Sequence, residues 1–376
     1  MNTSITKTEK NLNHLIDIAN RFKPTGKVTN IQEFGSGNIN RTFLITLDDS
    51  EEKHYILQRI NTEVFRQPEL VMENMSYFSN HVSQRLKNLS LPPERRWEVP
   101  RILLTQEKKN HWVDTDGSFW RAIAFIDTAQ TFDTIQNSKH AHEVGYALGM
   151  FHNLISDLPP ENLADTLPGF HITPNYLQEY NQVLAKTSVS NSPEVKYCLQ
   201  FINQRQTWAH VLENAVMRED LHLRPIHGDP KVNNVMIDTF TGLGISIIDL
   251  DTVKPGLIHY DIGDCLRSGC NSLGEETQDW EQISFDTDIC KAILEGYLPI
   301  SSCFLDKNDY KYIYDGIRLI AFELGLRFFT DYLAGNIYFK TKYREHNLAR
   351  ALVQFKLTQS IESKENAIRT IIQEVE

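Results

Sequence analysis

Apolar residues in the N-terminal part of the chain recur first at a helical period and then at a strand period. Leu12, Leu15, Ile16, Ala19 and Phe22 fall on one face of a helix, and Pro24 with Gly26 ends it. Residues 28–34, 42–47 and 54–60 then read as three strands. The breaks between them are Gly35-Ser36-Gly37 and an acidic turn over 48–52, so an antiparallel meander is expected. A helix is predicted over 69–86, Pro92-Pro93 interrupts the pattern, and strands are predicted near 101–104 and 119–126.

Beyond Asp127 the period changes. Val144, Leu148, Phe151 and Ile155 mark one buried helix face, and Ile313, Ile317, Ile320, Leu324 and Phe328 mark another. A β-rich island interrupts the helices at 234–237 and 244–250, joined by the turn-forming stretch 238–242. The predicted class is α+β with two lobes. Residues 1–126 form a small lobe of antiparallel sheet plus helix, and residues 127–376 form a larger, mainly helical one. With no repeat, low-complexity tract or long linker, the lobes are expected to share a ligand cleft at a hinge near 126–128.

Composition narrows the class. Hydrophobic residues make up 41% and charged residues 23% of 376, the balance of a soluble globular chain. A net charge of −11 argues against nucleic acid and anionic membranes as partners, since both demand clustered Lys and Arg. The five cysteines include no C-x-x-C pair, which disfavours a zinc site or a disulfide framework and suits a reducing cytoplasm. The polar N-terminus and the lack of a long apolar run predict neither export nor membrane insertion. Nothing in the chain speaks to oligomeric state.

The chemistry concentrates in His227-Gly228-Asp229-Pro230-Lys231-Val232-Asn233-Asn234, with Asp249 following at the end of an apolar strand. This arrangement resembles the catalytic loop and metal-binding aspartate of the protein-kinase superfamily, and so implies a protein-kinase-like fold. Phosphoryl transfer to an alcohol needs a carboxylate to orient the hydroxyl and take its proton, together with oxygen ligands for the magnesium that bridges the phosphates of ATP. Asp229 is expected in the first role, with Asn234 and Asp249 as metal ligands. Lys231 is expected beside the transferred phosphate, where an ammonium stabilises charge spread over its oxygens. His227 reads as support for the loop, and Asp261 as a cap on its backbone N–H groups. Asp251 is expected on the same face of a continuing strand as Asp249, as a second metal or substrate ligand or as a solvated turn residue.

For the nucleotide, Gly35 and Gly37 are expected to bring backbone N–H groups to phosphate oxygens. The third strand, Tyr55-Ile56-Leu57-Gln58-Arg59-Ile60, lacks the lysine of the protein-kinase pattern. Arg59 is the nearest cation, with Glu73 on the next helix as its expected partner. Phe125 and Asp127, at the expected hinge, are further cofactor-binding candidates.

Longer strings carry a narrower resemblance. The catalytic loop is similar to that of the aminoglycoside phosphotransferase and choline kinase family. The strings 55–61, 72–74, 167–174, 248–256, 327–333 and 346–350 resemble N-acetylhexosamine 1-kinases, over nearly the whole length from about 34 to about 356. That resemblance implies transfer of a phosphate from ATP, with Mg2+, to the anomeric hydroxyl of N-acetylglucosamine or N-acetylgalactosamine. Gly228 is closer to the aminoglycoside-kinase form. His171, Asp264, Arg267, Arg327, Asp331 and Tyr332 supply the donors, acceptors and aromatic face that a neutral sugar requires. Two alternatives stay open: another acceptor such as an aminoglycoside, a choline-like amine or homoserine, and a catalytically silent nucleotide-binding module.

Overall fold

In a computed structural model the chain is described over residues 7–22, 26–35, 39–48 and 52–375. Pro24, Gly37 and residues 49–51 of the acidic turn lie outside the described residues. The chain divides into two compact units. The first holds the described residues up to Ser90 together with Glu98–Thr128; the second holds Leu91–Trp97 and Ala129–Glu376.

The first unit contains helices α1 (Lys7–Phe22) and α2 (Pro68–Asn88) and strands β1 (Lys27–Glu33), β2 (Arg41–Asp48), β3 (His54–Ile60), β4 (Ile102–Leu103), β5 (Trp112–Val113) and β6 (Phe119–Ala124). The strands form one antiparallel sheet in the order β1-β2-β3-β6-β4, with β5 also on β6. Alternation along β2 and β3 sends Phe43, Ile45, Leu47, Tyr55 and Leu57 to one face, where Ile18, Ala19 and Phe22 of α1 cover them. The Tyr55 hydroxyl, buried there, donates to the carbonyl of Ala19 at 2.8 Å. The opposite face carries a polar row: Gln58 donates to Thr42 at 3.0 Å and accepts from Arg121 at 2.9 Å. Arg121, only 1% exposed, also reaches the Met75 sulfur of α2 at 3.7 Å.

The second unit contains β7 (Ala129–Gln130), α3 (Ser138–Ile155), α4 (Thr173–Leu184), α5 (Pro193–Arg205), α6 (Val211–Met217), β8 (Arg224–Ile226), β9 (Val235–Asp238), β10 (Gly244–Ile247), β11 (Lys254–Gly256), α7 (Ile258–Gly269), α8 (Thr287–Ser301), α9 (Lys307–Ala334), α10 (His346–Ser363) and α11 (Glu365–Val375). The expected β-rich island is there as β9 and β10, joined on its other edge by β7. The strand predicted over 244–250 stops at Ile247, however, because Asp249 takes a left-handed backbone (φ 67°) and a 3-10 turn covers Leu250–Thr252. Asp251 is therefore not on a continuing strand, and the shared face expected for Asp249 and Asp251 does not exist. Both helices foreseen from apolar spacing are present. The second is the long α9, opened by a capping box between Asp306 and Asp309 and closed by left-handed Gly335. Among the described residues no helix is long and apolar enough to cross a membrane, and all five cysteines are free.

Helices α3 and α8 approach at backbone distance. A Cβ on Gly145 would stand 1.9 Å from the carbonyl oxygen of Ile293, and one on Gly296 would stand 2.0 Å from that of His142. Alanine in place of a helical glycine ordinarily gains about 1 kcal/mol of propensity. Here a rigid carbonyl occupies the added atom's position, so overpacking outweighs that gain. Gly145→Ala and Gly296→Ala are each expected to lower stability by about 2 kcal/mol or more, read as a shift in urea midpoint with unchanged slope.

Candidate functional site

Two short antiparallel ladders bracket residues 227–234. Strand β8 pairs with β11, setting Ile226 opposite Lys254, and β9 pairs with β10. The loop runs from the end of β8 to the start of β9, and residues 248–253 run from β10 to β11, so each ladder ties one end of the loop to the facing segment. Three bonds complete the frame. The ring Nε2–H of His227 donates to the carbonyl of Ile248 at 2.9 Å, the N–H of Ile248 donates to the carbonyl of Asn234 at 2.9 Å, and the Thr252 hydroxyl donates to the carbonyl of His227 at 2.7 Å.

His227 is entirely buried, and Nδ1 accepts the N–H of Asp229 at 3.2 Å. Donation from one ring nitrogen and acceptance at the other define a neutral imidazole, and burial pushes its pKa down in the same direction. Gly228 has φ +87° and stands where a Cβ would meet the carbonyl oxygen of Thr252 at 2.7 Å, so no side chain fits there. The Asp261 carboxylate of α7 accepts both backbone N–H groups that open the loop, His227 at 2.7 Å and Gly228 at 2.8 Å, and lies 2.8 Å from His152 Nε2.

At the loop's centre the Lys231 ammonium lies 3.0 Å from Asp229 Oδ2, with the two side chains 35% and 29% exposed. Burial pushes the Asp229 carboxyl above its ordinary range; Lys231 pulls it back, and the nearby Asp264 carboxylate adds to the rise. The Asp229 charge in turn drives the Lys231 pKa well up. Asn234 spends its amide N–H2 on the carbonyl of Asp229 at 2.7 Å, which folds the loop back over itself and leaves the amide oxygen as the atom that could face a metal. Asp249 is exposed at the residue after Ile248, the residue tied to both His227 and Asn234. An amide oxygen and a carboxylate are hard donors that suit magnesium, which keeps most of its waters and takes one or two protein oxygens. No group of three or more His, Cys, Asp or Glu side chains among the described residues is arranged around a metal position.

The remaining candidates divide. Arg327 and Asp264 stand near Asp229, close enough for their charges to act on one another. The Arg327 guanidinium is ringed by Tyr176, Phe170 and Phe339 at 5.0, 5.2 and 5.5 Å. Asp264 is buried; Oδ1 accepts from Arg267 at 2.8 Å, while Oδ2 has no hydrogen-bond partner among the described residues. Arg267 is itself spent on Asp264 and Glu275, as a brace for that carboxylate.

Three expected substrate groups are instead structural. Asp331 accepts the N–H groups of Ile337, Tyr338 and Phe339 and the amide of Asn347, closing the loop after α9. Tyr332 packs its ring against the core around α5, α9 and α10 and near Phe329. His171 uses both ring nitrogens, on Glu323 at 2.9 Å and on the carbonyl of Gly228 at 2.7 Å. Tyr338, exposed in the irregular loop after α9, lies near Arg327.

In the first unit, Gly35 has φ +76° and a Cβ added there would meet no described atom within 4 Å, and Phe125 meets the rings of Phe34 and His54 edge-on. Asp127 is exposed. Arg59 does not take the position expected of it. Alternation puts it on the α1 face with Tyr55 and Leu57, whereas α2, which carries Glu73, faces the row of Gln58 and Arg121. Arg59 and Glu73 are both exposed, and no ion pair joins them. The cation on the α2 face is Arg121.

A kinase-like plan of antiparallel sheet followed by a helical region around this loop defines the class. Residues 30–291 match the model of the phosphotransferase enzyme family, and the chain belongs to that family of small-molecule phosphotransferases. Solved structures share the fold at low identity. A microcompartment-associated aminopropanol kinase matches at TM-score 0.62 and 13% identity, covering 95% of this chain and 98% of its own. The choline kinase of Cryptosporidium parvum Iowa II matches at 0.60 and 16%, covering 96% and 97%. A spectinomycin phosphotransferase solved with ADP and spectinomycin matches at 0.55 and 15%, covering 94% and 98%.

Asp261 is the charged acceptor that opens the frame. Burial raises its pKa, but the bonds from His152 and from the His227 backbone outweigh burial and hold it below the ordinary 3.8. A depressed folded pKa stabilises above the unfolded value and is lost as pH falls through the folded one. Asp261→Ala is expected to cost about 3–5 kcal/mol at neutral pH by urea unfolding, with the deficit relative to wild type shrinking below about pH 3.8.

Proposed function

We propose that the chain transfers the γ-phosphoryl group of ATP to a hydroxyl of a small neutral sugar, with the anomeric hydroxyl of an N-acetylhexosamine as acceptor. The observation that carries this reading is the convergence of Asp229, Lys231 and Asn234 on one turn whose backbone is pinned from three sides. Family membership supports the reaction class, and the ADP complex of the spectinomycin phosphotransferase supports a nucleotide as donor.

In this reading Asp229 orients the acceptor hydroxyl and takes its proton. Its raised pKa makes it a stronger base than an ordinary aspartate. Lys231 holds Asp229 in place and offers positive charge to the phosphoryl oxygens. Asn234 and Asp249 would hold magnesium, which supplies neutralisation of the phosphate charge. Gly35, Phe125 and Asp127 are the nucleotide contacts of the first unit.

The surroundings of Asp229 favour a neutral acceptor. An aminoglycoside carries several positive charges and needs unpaired carboxylates, yet the charges that interact with Asp229 include the cations Lys231, Arg267 and Arg327, and one oxygen of Asp264 is already bound to Arg267. Arg327 offers N–H donors above aromatic faces, a combination that suits the carbonyl oxygen and apolar face of an acetamido sugar.

Asp229→Asn is expected to lower kcat by about 10³-fold or more while the dissociation constant for magnesium-ATP stays within twofold; wild-type turnover in that variant would remove Asp229 from the chemistry. In the wild type, kcat should fall on the acid side as pH drops through the raised Asp229 pKa, a limb absent from the residual activity of Asp229→Asn. A panel of hydroxylated acceptors, with ATP consumption and product NMR as readout, tests the substrate. Inactivity on every hexosamine alongside turnover of an amino alcohol would replace the sugar with that alcohol.

A further inference from the structure

The segment before α4 is tied to β11 and to the 227–234 loop. Buried Lys254 of β11 donates to Asp165 at 2.7 Å and to the carbonyl of Leu167 at 3.0 Å. Two residues of the segment, Gly169 (φ +83°) and His171 (φ +65°), are left-handed, and the second is not a glycine. A non-glycine residue in that region persists only where its surroundings hold it there. The side chain of His171, 4% exposed, explains what is held.

Nε2 of His171 lies 2.7 Å from the carbonyl oxygen of Gly228, and Nδ1 lies 2.9 Å from Glu323 Oε1. A carbonyl oxygen only accepts, so Nε2 carries hydrogen. At Nδ1 a bare lone pair would face a carboxylate oxygen, so a proton sits between them. The other Glu323 oxygen accepts the Thr173 hydroxyl at 2.6 Å, and Arg327, one turn along α9, adds positive charge nearby. With a hydroxyl donating to it and a guanidinium nearby, the Glu323 carboxylate is the acceptor of the pair and the ring is the donor.

We propose that His171 is a buried imidazolium held by Glu323, and that this ion pair is the positioning device that fixes the carbonyl of Gly228 and, through it, the carboxylate of Asp229. The proposal rests on the phosphotransfer reading for its kinetic consequence, but not for the charge state itself. It differs from the substrate role expected for His171, because no ring nitrogen is left over for a ligand. The groups facing the ring bear on its proton. Glu323 and Arg327 lie on α9, Thr173 on α4, Asp264 on α7, and the Tyr260 ring of α7 stacks on it at 5.3 Å. Beyond Tyr260 sits Glu213 of α6, bonded to the Tyr260 hydroxyl at 2.9 Å and pushed by burial to a pKa of about 7. Burial works against the charged ring, and the Glu323 carboxylate overrides it, with Asp264 helping. The folded pKa therefore stands above the ordinary 6.5, so the pair is intact below that value and lost as pH rises through the folded one.

Histidine-ring nitrogen NMR on the full wild-type chain at neutral pH is expected to show one imidazolium with both nitrogens protonated, a signal absent from His171→Asn. A neutral-ring signature assigned to His171 overturns the proposal. Because that spectrum needs no turnover, its failure is separate from failure of the phosphotransfer reading. In kinetics, Glu323→Gln is expected to reduce kcat on the order of 10²-fold with KM for ATP within twofold, and to abolish the alkaline limb of the kcat profile. Wild-type kcat and an unchanged alkaline limb in Glu323→Gln overturn the positioning role, whether or not His171→Asn folds.

Discussion

The carboxylate of Asp261 accepts two consecutive backbone N–H groups, those of His227 and Gly228, and lies against the ring of His152. Those N–H groups sit where a chain leaving β8 turns sharply, fully buried and out of reach of any ladder. Without an acceptor each would carry the full cost of desolvation, about 1–3 kcal/mol. A charged acceptor satisfies both at once, and fixing them sets the direction in which the next residue, Asp229, departs. The candidate base is thus aimed by an acid that never touches it.

Helix α7 serves as the carrier for this arrangement. Asp261, Asp264 and Arg267 follow at spacings of three, which keeps them along one side of a helix that packs closely on α9. One residue caps the loop, the next stands beside Asp229, and the third neutralises the second. The polar groups around the loop are in this way placed by a regular element, whereas the loop itself contributes only its turn geometry. His171 and Glu323 add a brace on the far side of Gly228, so the residue before Asp229 is gripped at its N–H by one carboxylate and at its C=O by a ring.

Much of the fold was legible because alternation and helical spacing survive in the sequence wherever an element has one buried face. The strand 54–60 was read with its observed bounds, and the long α9 announced itself through Ile313, Ile317, Ile320, Leu324 and Phe328. The misreading of Arg59 was one of parity. Counted from Tyr55 and Leu57, an odd position belongs to the α1 face, and the pairing of β3 with β6 then supplies Arg121 to the α2 face from a residue 62 positions later. Asp251 failed for a local reason, the left-handed turn at Asp249, which no propensity for aspartate demands. His171 and Asp331 were judged by their chemistry alone; their partners, Glu323, Gly228 and the N–H groups of 337–339, are far away in sequence or belong to the backbone.

The sequence by itself determined the kinds of chemistry available and their order: a carboxylate, an ammonium and an amide within six residues, and a second carboxylate after a strand. These follow from residue type and short spacing, which a linear chain states directly. Only the tertiary structure decided which polar groups remain open for a ligand and which are consumed as supports. That division depends on hydrogen-bond partners brought together across long stretches of chain, and a donor or acceptor is spent or spare only once the fold has chosen what faces it.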